Sequence, residues 1–327
     1  MPPLESGSRV RALLRNSVME IVLLALCIFL AFRADGFLSM QNFLNVLRTA
    51  SFRGMIALGM TMVIIAGEID LSVGSMVAFS GCLAAWLTGY LAGPACGMSL
   101  GSAVTLSIVA SVLAALGIGC ITGFLRVRFE VPTFITTLAW MSVLRGSASL
   151  ITKGFPLTPF PEWYNFIGGG YLLGIPFPAI IFIASFAIIQ VLMSYTSFGR
   201  AVYAVGGNAE AARLSGIKVY QVKVLVMAIV AGLAALSGIM QSAQIMSGSH
   251  KTAEGWELEV ISAVIIGGTS LMGGVGRVWG TLIGVVFLGV LVNGMTLMSI
   301  DEYWQPVVRG ALILGAVLIN LAPSSRK

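Results

Sequence analysis

Charge is what this sequence has least of. Only 10% of its 327 residues are charged, 13 acidic and 19 basic, where a soluble domain carries roughly 25%. That excludes an ordinary soluble globular fold. There is one histidine, His250, and the four cysteines (Cys27, Cys82, Cys96, Cys120) show no CxxC or metal-like spacing. A metal centre or redox motif is therefore not expected, and the cysteines read as packing residues. No GxxxxGK[ST] string and no Gly-Lys pair occurs, so the chain has no P-loop of its own. No nucleophile with a matching base stands out either. The expectation is a chain that is not an enzyme and binds no cofactor itself. The first hydrophobic stretch has no small-residue cleavage site, so it reads as a retained span rather than a signal peptide.

What is present is hydrophobic sequence: 57% of residues and a mean hydropathy of +0.97. A transmembrane helix needs about 20 apolar residues. Ten apolar candidates stand near 18–32, 52–66, 71–92, 100–125, 132–150, 172–193, 224–246, 260–272, 278–298 and 307–321, several of them shorter than that. Backbone groups in lipid must bond internally, so these are helices, or helices broken where protein covers the break. The expected fold class is all-α: one polytopic transmembrane domain over 1–327, with a polar tail at 1–15. Eight or nine spans plus re-entrant segments fit the same pattern.

The net charge of +6 would suggest nucleic acid in a soluble protein. Here its distribution matters more. With ten spans and a cytoplasmic N-terminus, Arg9, Arg11, Arg15, Arg126, Arg128, Arg200, Arg213, Lys218, Lys223, Arg277, Arg326 and Lys327 fall on the inner side. Arg33, Arg48, Arg53, Lys153 and Lys251 fall outside. This bias satisfies the positive-inside rule and puts both termini in the cytoplasm. The cluster Arg33, Arg48 and Arg53 fits least well; it is expected in an interfacial helix, with Arg53 snorkelling to the surface. The loop 247–259 is expected outside, with His250 solvated.

The longest polar stretch, 197–220, lies between two charge-free runs, 163–199 and 224–249. Its local chemistry predicts a shape. Gly206-Gly207 allows a tight turn. Asn208 is an N-cap, and Glu210 suits the positive end of a helix dipole. Gly216 sits where a helix ends. The result is a helix of about two turns over Ala209–Leu214, with Ala211, Leu214 and Ser215 on one face.

The string Glu210-Ala211-Ala212-Arg213-Leu214-Ser215-Gly216 resembles the EAA-x-x-x-G pattern of ABC importer permeases. Phe198-Gly199-Arg200 and Ala204-Val205-Gly206-Gly207-Asn208 resemble the ribose-type sugar branch of that family. The resemblance implies that 196–220 is a cytoplasmic coupling loop. Gly206, Gly207, Asn208, Glu210, Ala211, Ala212, Arg213 and Gly216 would form the contact with a separate ATPase.

Two further strings resemble the same branch. Gly67-Glu68-Ile69-Asp70-Leu71-Ser72-Val73-Gly74-Ser75 is similar to its G-x-IDLSVGS signature, with Glu68 where glycine is common. Its carboxylates mark either an aqueous turn or a break in a helix inside the protein. In the second case Glu68, Asp70 and Ser72 close a gate or face the path. The other string, 266–284, is similar to IGGTSLMGG-x-G. Its Gly276, Gly280 and Gly284 recur every four residues as a seam for helix packing. Phe134, Thr136, Thr137, Trp140 and Ser142 give the span at 132–150 an aromatic-polar side suited to a sugar or to packing between helices, with Phe134 and Thr137 the candidates for the path. Asn293 sits alone in an apolar run and bonds either a neighbouring helix or the substrate.

The resemblance thus implies the transmembrane permease of a bacterial ABC sugar importer in the cytoplasmic (inner) membrane, for a ribose-like pentose, a hexose or a polyol. ATP and magnesium would sit on the partner ATPase. An extracytoplasmic sugar-binding protein and a second permease copy or paralogue complete the assembly. The competing class is an ion-gradient-driven carrier using Glu68 or Asp70.

Overall fold

In the computed structural model, residues 18–321 are described; the tail at 1–15 lies outside them. The chain is helical throughout its core. Helices α1 (Val18–Arg33), α2 (Met40–Ile65), α3 (Val73–Ala92), α4 (Leu100–Arg128) and α5 (Thr133–Thr152) come first. A 3-10 turn, Glu162–Tyr164, and α6 (Asn165–Gly169) lead into a two-stranded hairpin, β1 (Tyr171–Leu172) and β2 (Ile175–Pro176). Then follow α7 (Phe177–Tyr195), α8 (Ser197–Gly207), α9 (Ala209–Leu214), α10 (Val219–Ile245), α11 (Trp256–Ile266), α12 (Val278–Leu297) and α13 (Trp304–Leu321).

Seven of these, α2, α3, α4, α5, α7, α10 and α12, are long and apolar enough to cross a membrane. The sequence expectation of a span at 52–66 is exceeded: α2 starts at Met40, where Ser39 caps it by accepting the Asn42 N–H at 3.2 Å. The span expected at 172–193 starts later, because Tyr171–Pro176 forms the hairpin. The span expected at 260–272 is the eleven-residue α11, which ends at Ile266. Its length is about 16 Å, half the hydrocarbon thickness.

Helices α2 and α10 are buried along most of their length, whereas α4, α5 and α7 bury one side. Lipid tails give no hydrophobic reason for apolar helices to associate, so cohesion rests on close packing. Small residues supply it. Gly59 of α2 lies against the Val230 backbone, and Gly119 and Gly123 of α4 lie against Met227–Ala228 and Val224. Gly238 of α10 lies against the Val77 carbonyl of α3, and Gly54 leaves room for the Phe182 ring. On α12, β-carbons at Gly280 and Gly284 would overlap the carbonyls of Gly267 and Ala263, so this stripe sets α12 directly on α11 and the turn after it.

Two polar residues have partners that the sequence did not indicate. Arg53, near the middle of α2, keeps about a third of its side chain exposed but is not held by solvent alone. It pairs with Glu259 at 2.6 Å and covers the Trp256 ring. His250 is not a free loop residue: its Nδ1 lies 3.4 Å from the Thr152 hydroxyl, and its carbonyl accepts from Arg145 at 2.6 Å.

Candidate functional site

Three separate glycine-bearing strings meet at one end of the bundle. Helix α2 stops at Ile65, and Gly67 turns the chain with φ +77°. The Ile65 carbonyl accepts the Gly274 N–H at 2.8 Å. Gly206, near the end of α8, packs so tightly on the same carbonyl that a β-carbon there would overlap it. Gly273, with φ +81°, lies against Gly206 and Gly67. Gly206 and Gly207 are therefore not a turn. They are the last residues of α8, and it is Gly206 whose missing side chain permits the close approach. Tyr203, one turn earlier, donates to the Gly276 carbonyl at 2.9 Å.

Immediately beyond Gly67, Glu68 is buried at 5% exposure. One carboxylate oxygen accepts Arg126 Nε at 2.8 Å and also pairs with Lys223 Nζ. The other accepts the Thr133 hydroxyl at 2.5 Å. Arg126 lies in the last turn of α4, Thr133 starts α5 and Lys223 lies in the first turns of α10, so one carboxylate ties three helix ends to the break after α2. The sequence places Arg126 and Lys223 on the same side as Glu68 but gives no sign of which cation meets which anion. Thr133 carries no signal.

Asp70, at 4% exposure, serves a different purpose. Its Oδ1 accepts both the backbone N–H and the hydroxyl of Ser72, at 2.8 and 2.6 Å. The Ser72 hydroxyl is thereby spent on Asp70 and does not cap α3. Thr137 is buried beside this segment, with its hydroxyl 3.5 Å from the Ile69 carbonyl. Phe134 is half exposed and does not share that buried face.

Asn293 faces a neighbouring helix. Its amide exchanges two hydrogen bonds with Asn42, at 2.7 and 3.0 Å. Asn293→Leu leaves the Asn42 Oδ1 without its donor between α2 and α12, while the Asn42 amide keeps the Phe37 carbonyl, and is expected to cost about 1–2 kcal/mol. Adding Asn42→Leu should recover part of that loss. Thermal denaturation of detergent-solubilised protein checks both.

The polar insert protrudes from the same end. Asn208 caps α9, its Oδ1 accepting the Ala211 N–H at 2.9 Å. At the far end Gly216 N–H bonds the Arg213 carbonyl and Ile217 N–H bonds the Ala212 carbonyl, each at 3.0 Å. With Gly216 at φ +83°, that is a Schellman stop. Ala212 and Ile217 turn inward to the core, while Ala211, Leu214 and Ser215 face out. Leu214 is 76% exposed. Arg213 donates twice to Glu210, at 3.0 and 2.6 Å, and holds its carboxyl below the usual carboxylate range. Among the described residues no three His, Cys, Asp or Glu side chains gather to hold a metal.

The sequence profile of the family described as branched-chain amino acid transport system / permease component matches residues 42–317. The chain belongs to this permease family. The permease is 42% identical over 305 residues to the ribose import permease protein of Bacillus subtilis, covering 93% of this chain and 92% of that one. It is 38% identical over 321 residues to the ribose import permease protein of Escherichia coli (strain K12), covering 96% and 97%. The L-arabinose ABC transporter permease protein of Azospirillum brasilense is 35% identical over 318 residues, covering 97% and 91%. No solved structure matches the permease.

Proposed function

We propose that this permease forms, as a pair of copies or with a paralogue, the path of a bacterial ABC importer for a pentose. Relatives named for ribose and L-arabinose span nearly the whole chain and support the substrate class. On this reading the described helices and tail make one domain crossing the inner membrane about ten times, with α11 as a half-span and both termini in the cytoplasm. The basic end faces the cytoplasm. Helix α9, with Asn208, Glu210, Ala211, Ala212, Arg213 and Gly216, is the coupling helix. An ATPase subunit holds ATP and magnesium and grips the exposed face of α9, and an extracytoplasmic sugar-binding protein delivers substrate to the other side.

One observation carries this reading: Gly206, at the end of the helix that supports α9, packs on the Ile65 carbonyl at the break before Glu68. Movement of the insert is thus passed backbone to backbone into α2 and α3, without a flexible side chain between them. The Glu68 cluster latches the same end, and opening the path toward the cytoplasm separates some of its members.

The ion-gradient alternative needs a carboxylate free to take a cation or proton. Glu68 already meets Arg126, Lys223 and Thr133, and Asp70 is engaged by Ser72. The ATP-driven reading is therefore favoured.

Glu210→Arg places two like charges three residues apart on α9, and Gly216→Trp forces a bulky residue into a left-handed turn. Either is expected to leave membrane insertion intact and to uncouple ATP hydrolysis from uptake in reconstituted vesicles. Normal uptake in both counts against the assignment.

A further inference from the structure

Two helix breaks meet at half depth in the bundle. Helix α3 begins at Val73 after the non-helical segment 66–72, and α11 begins at Trp256 after the non-helical segment 246–255. Their first turns touch. A β-carbon at Gly74 would overlap the Glu257 carboxylate and crowd the Ala253 carbonyl, so the absent side chain is what admits them. The depth follows from the neighbours. Glu259 pairs with Arg53 near the middle of α2, and Ser237 of α10 donates to the Phe52 carbonyl beside it at 2.7 Å. Non-helical backbone at such depth is tolerated only where protein covers it or where it lines an aqueous path.

Two polar atoms at this junction are left over. Glu257 Oε2 is buried without a hydrogen-bond partner. Ser75, the residue after Gly74, is 1% exposed, and its Oγ also has none. Leaving such groups unpaired is costly, so they persist where another state of the protein uses them. Arg145 is close enough for its charge to act on the Glu257 carboxylate but makes no hydrogen bond to Oε2. Its Nη1 donates to the carbonyls of His250 and Thr252, at 2.6 and 2.9 Å, which holds the segment before α11 in place.

We propose that Glu257 Oε2 and Ser75 Oγ receive hydroxyl groups of a neutral polyhydroxylated solute during its passage. The carboxylate accepts a hydroxyl proton, and the serine both donates and accepts. An anion is disfavoured by the carboxylate. A hard cation would need six or more oxygen ligands, which these two side chains do not supply. Discontinuous helices meeting inside a bundle are a recurrent way of building such a site. This assignment rests on the pentose-path reading and names residues within it.

The test uses the full assembly, with its ATPase and binding protein, reconstituted in vesicles with D-ribose as the probe. Glu257→Gln should lower ribose uptake about tenfold, the effect of losing a hydrogen bond to a charged group. ATP hydrolysis stimulated by the binding protein should stay near the wild-type rate. In a background lacking the four native cysteines, Glu257→Cys should react with a small thiosulfonate, and ribose supplied during turnover should slow that reaction. Unchanged uptake in Glu257→Gln overturns the site. So does a parallel fall of uptake and hydrolysis, or a Glu257→Cys variant whose thiol is unreactive or unprotected by ribose. Wild-type ribose uptake in the same vesicles reports separately on the proposed function.

Discussion

Glu68→Gln should be among the most damaging single substitutions in the chain, and more damaging than removal of the lysine that faces it. The side chains of Glu68 and Lys223 are both nearly inaccessible, at 4% and 11%. Removing the carboxylate charge strands a buried ammonium beside the Arg126 guanidinium. Breaking a buried pair in this way costs about 3–5 kcal/mol. Lys223→Met is different, because Glu68 keeps Arg126 and Thr133, and Arg126 itself reaches solvent. Its cost should stay near 1 kcal/mol, roughly the worth of a single hydrogen bond to a group that keeps others. The double variant Glu68→Gln/Lys223→Met should be more stable than Glu68→Gln alone, since no unpaired ammonium remains. Denaturation midpoints of the three purified variants decide the order. A Lys223→Met variant as unstable as Glu68→Gln would show that the carboxylate is not the hub.

The second large effect separates two adjacent glycines. Gly206→Ala drives a methyl group into the Ile65 carbonyl, which already accepts from Gly274. Either that bond breaks or α8 moves away from α2, at about 1–3 kcal/mol for overpacking and a similar sum for the orphaned groups. Gly207→Ala meets nothing within 4 Å and replaces glycine in a helix, which gains up to about 1 kcal/mol. We expect Gly206→Ala to abolish ATP-driven uptake while Gly207→Ala transports normally. Equal activity of the two variants would remove the backbone contact from the mechanism.

What was legible in the sequence was local. The Asn208 cap, the six-residue helix and the stop at Gly216 follow from chemistry within a few residues, and each has its counterpart in the hydrogen bonds of α9. Long apolar helices were legible from run length. Helix α11 was not, because the charge-free run continues past Ile266 as far as Arg277 while the backbone turns at Gly267-Gly268. The pairs Arg53–Glu259 and Glu68–Lys223 join residues 206 and 155 positions apart, and no local pattern encodes them. Arg53 shows how a charge inside an apolar run is accommodated: a carboxylate distant in sequence pairs with it while the side chain stays partly exposed. The glycine strings announced close packing but not its partner, since a backbone-to-backbone contact leaves no side chain to read. His250 illustrates the converse. A lone histidine in a loop looks solvated, yet Arg145 holds its carbonyl and so fixes the segment.

The central claim is that α9 projects into the cytoplasm and is gripped there by a separate ATPase. Ala211→Cys, in a background lacking the native cysteines, tests it most directly, because Ala211 lies on the exposed face. A membrane-impermeant thiol reagent should label this cysteine in inside-out vesicles, fail in right-side-out vesicles, and be blocked once the ATPase subunit is bound. Labelling from the outer face, or labelling indifferent to the ATPase, would contradict the account.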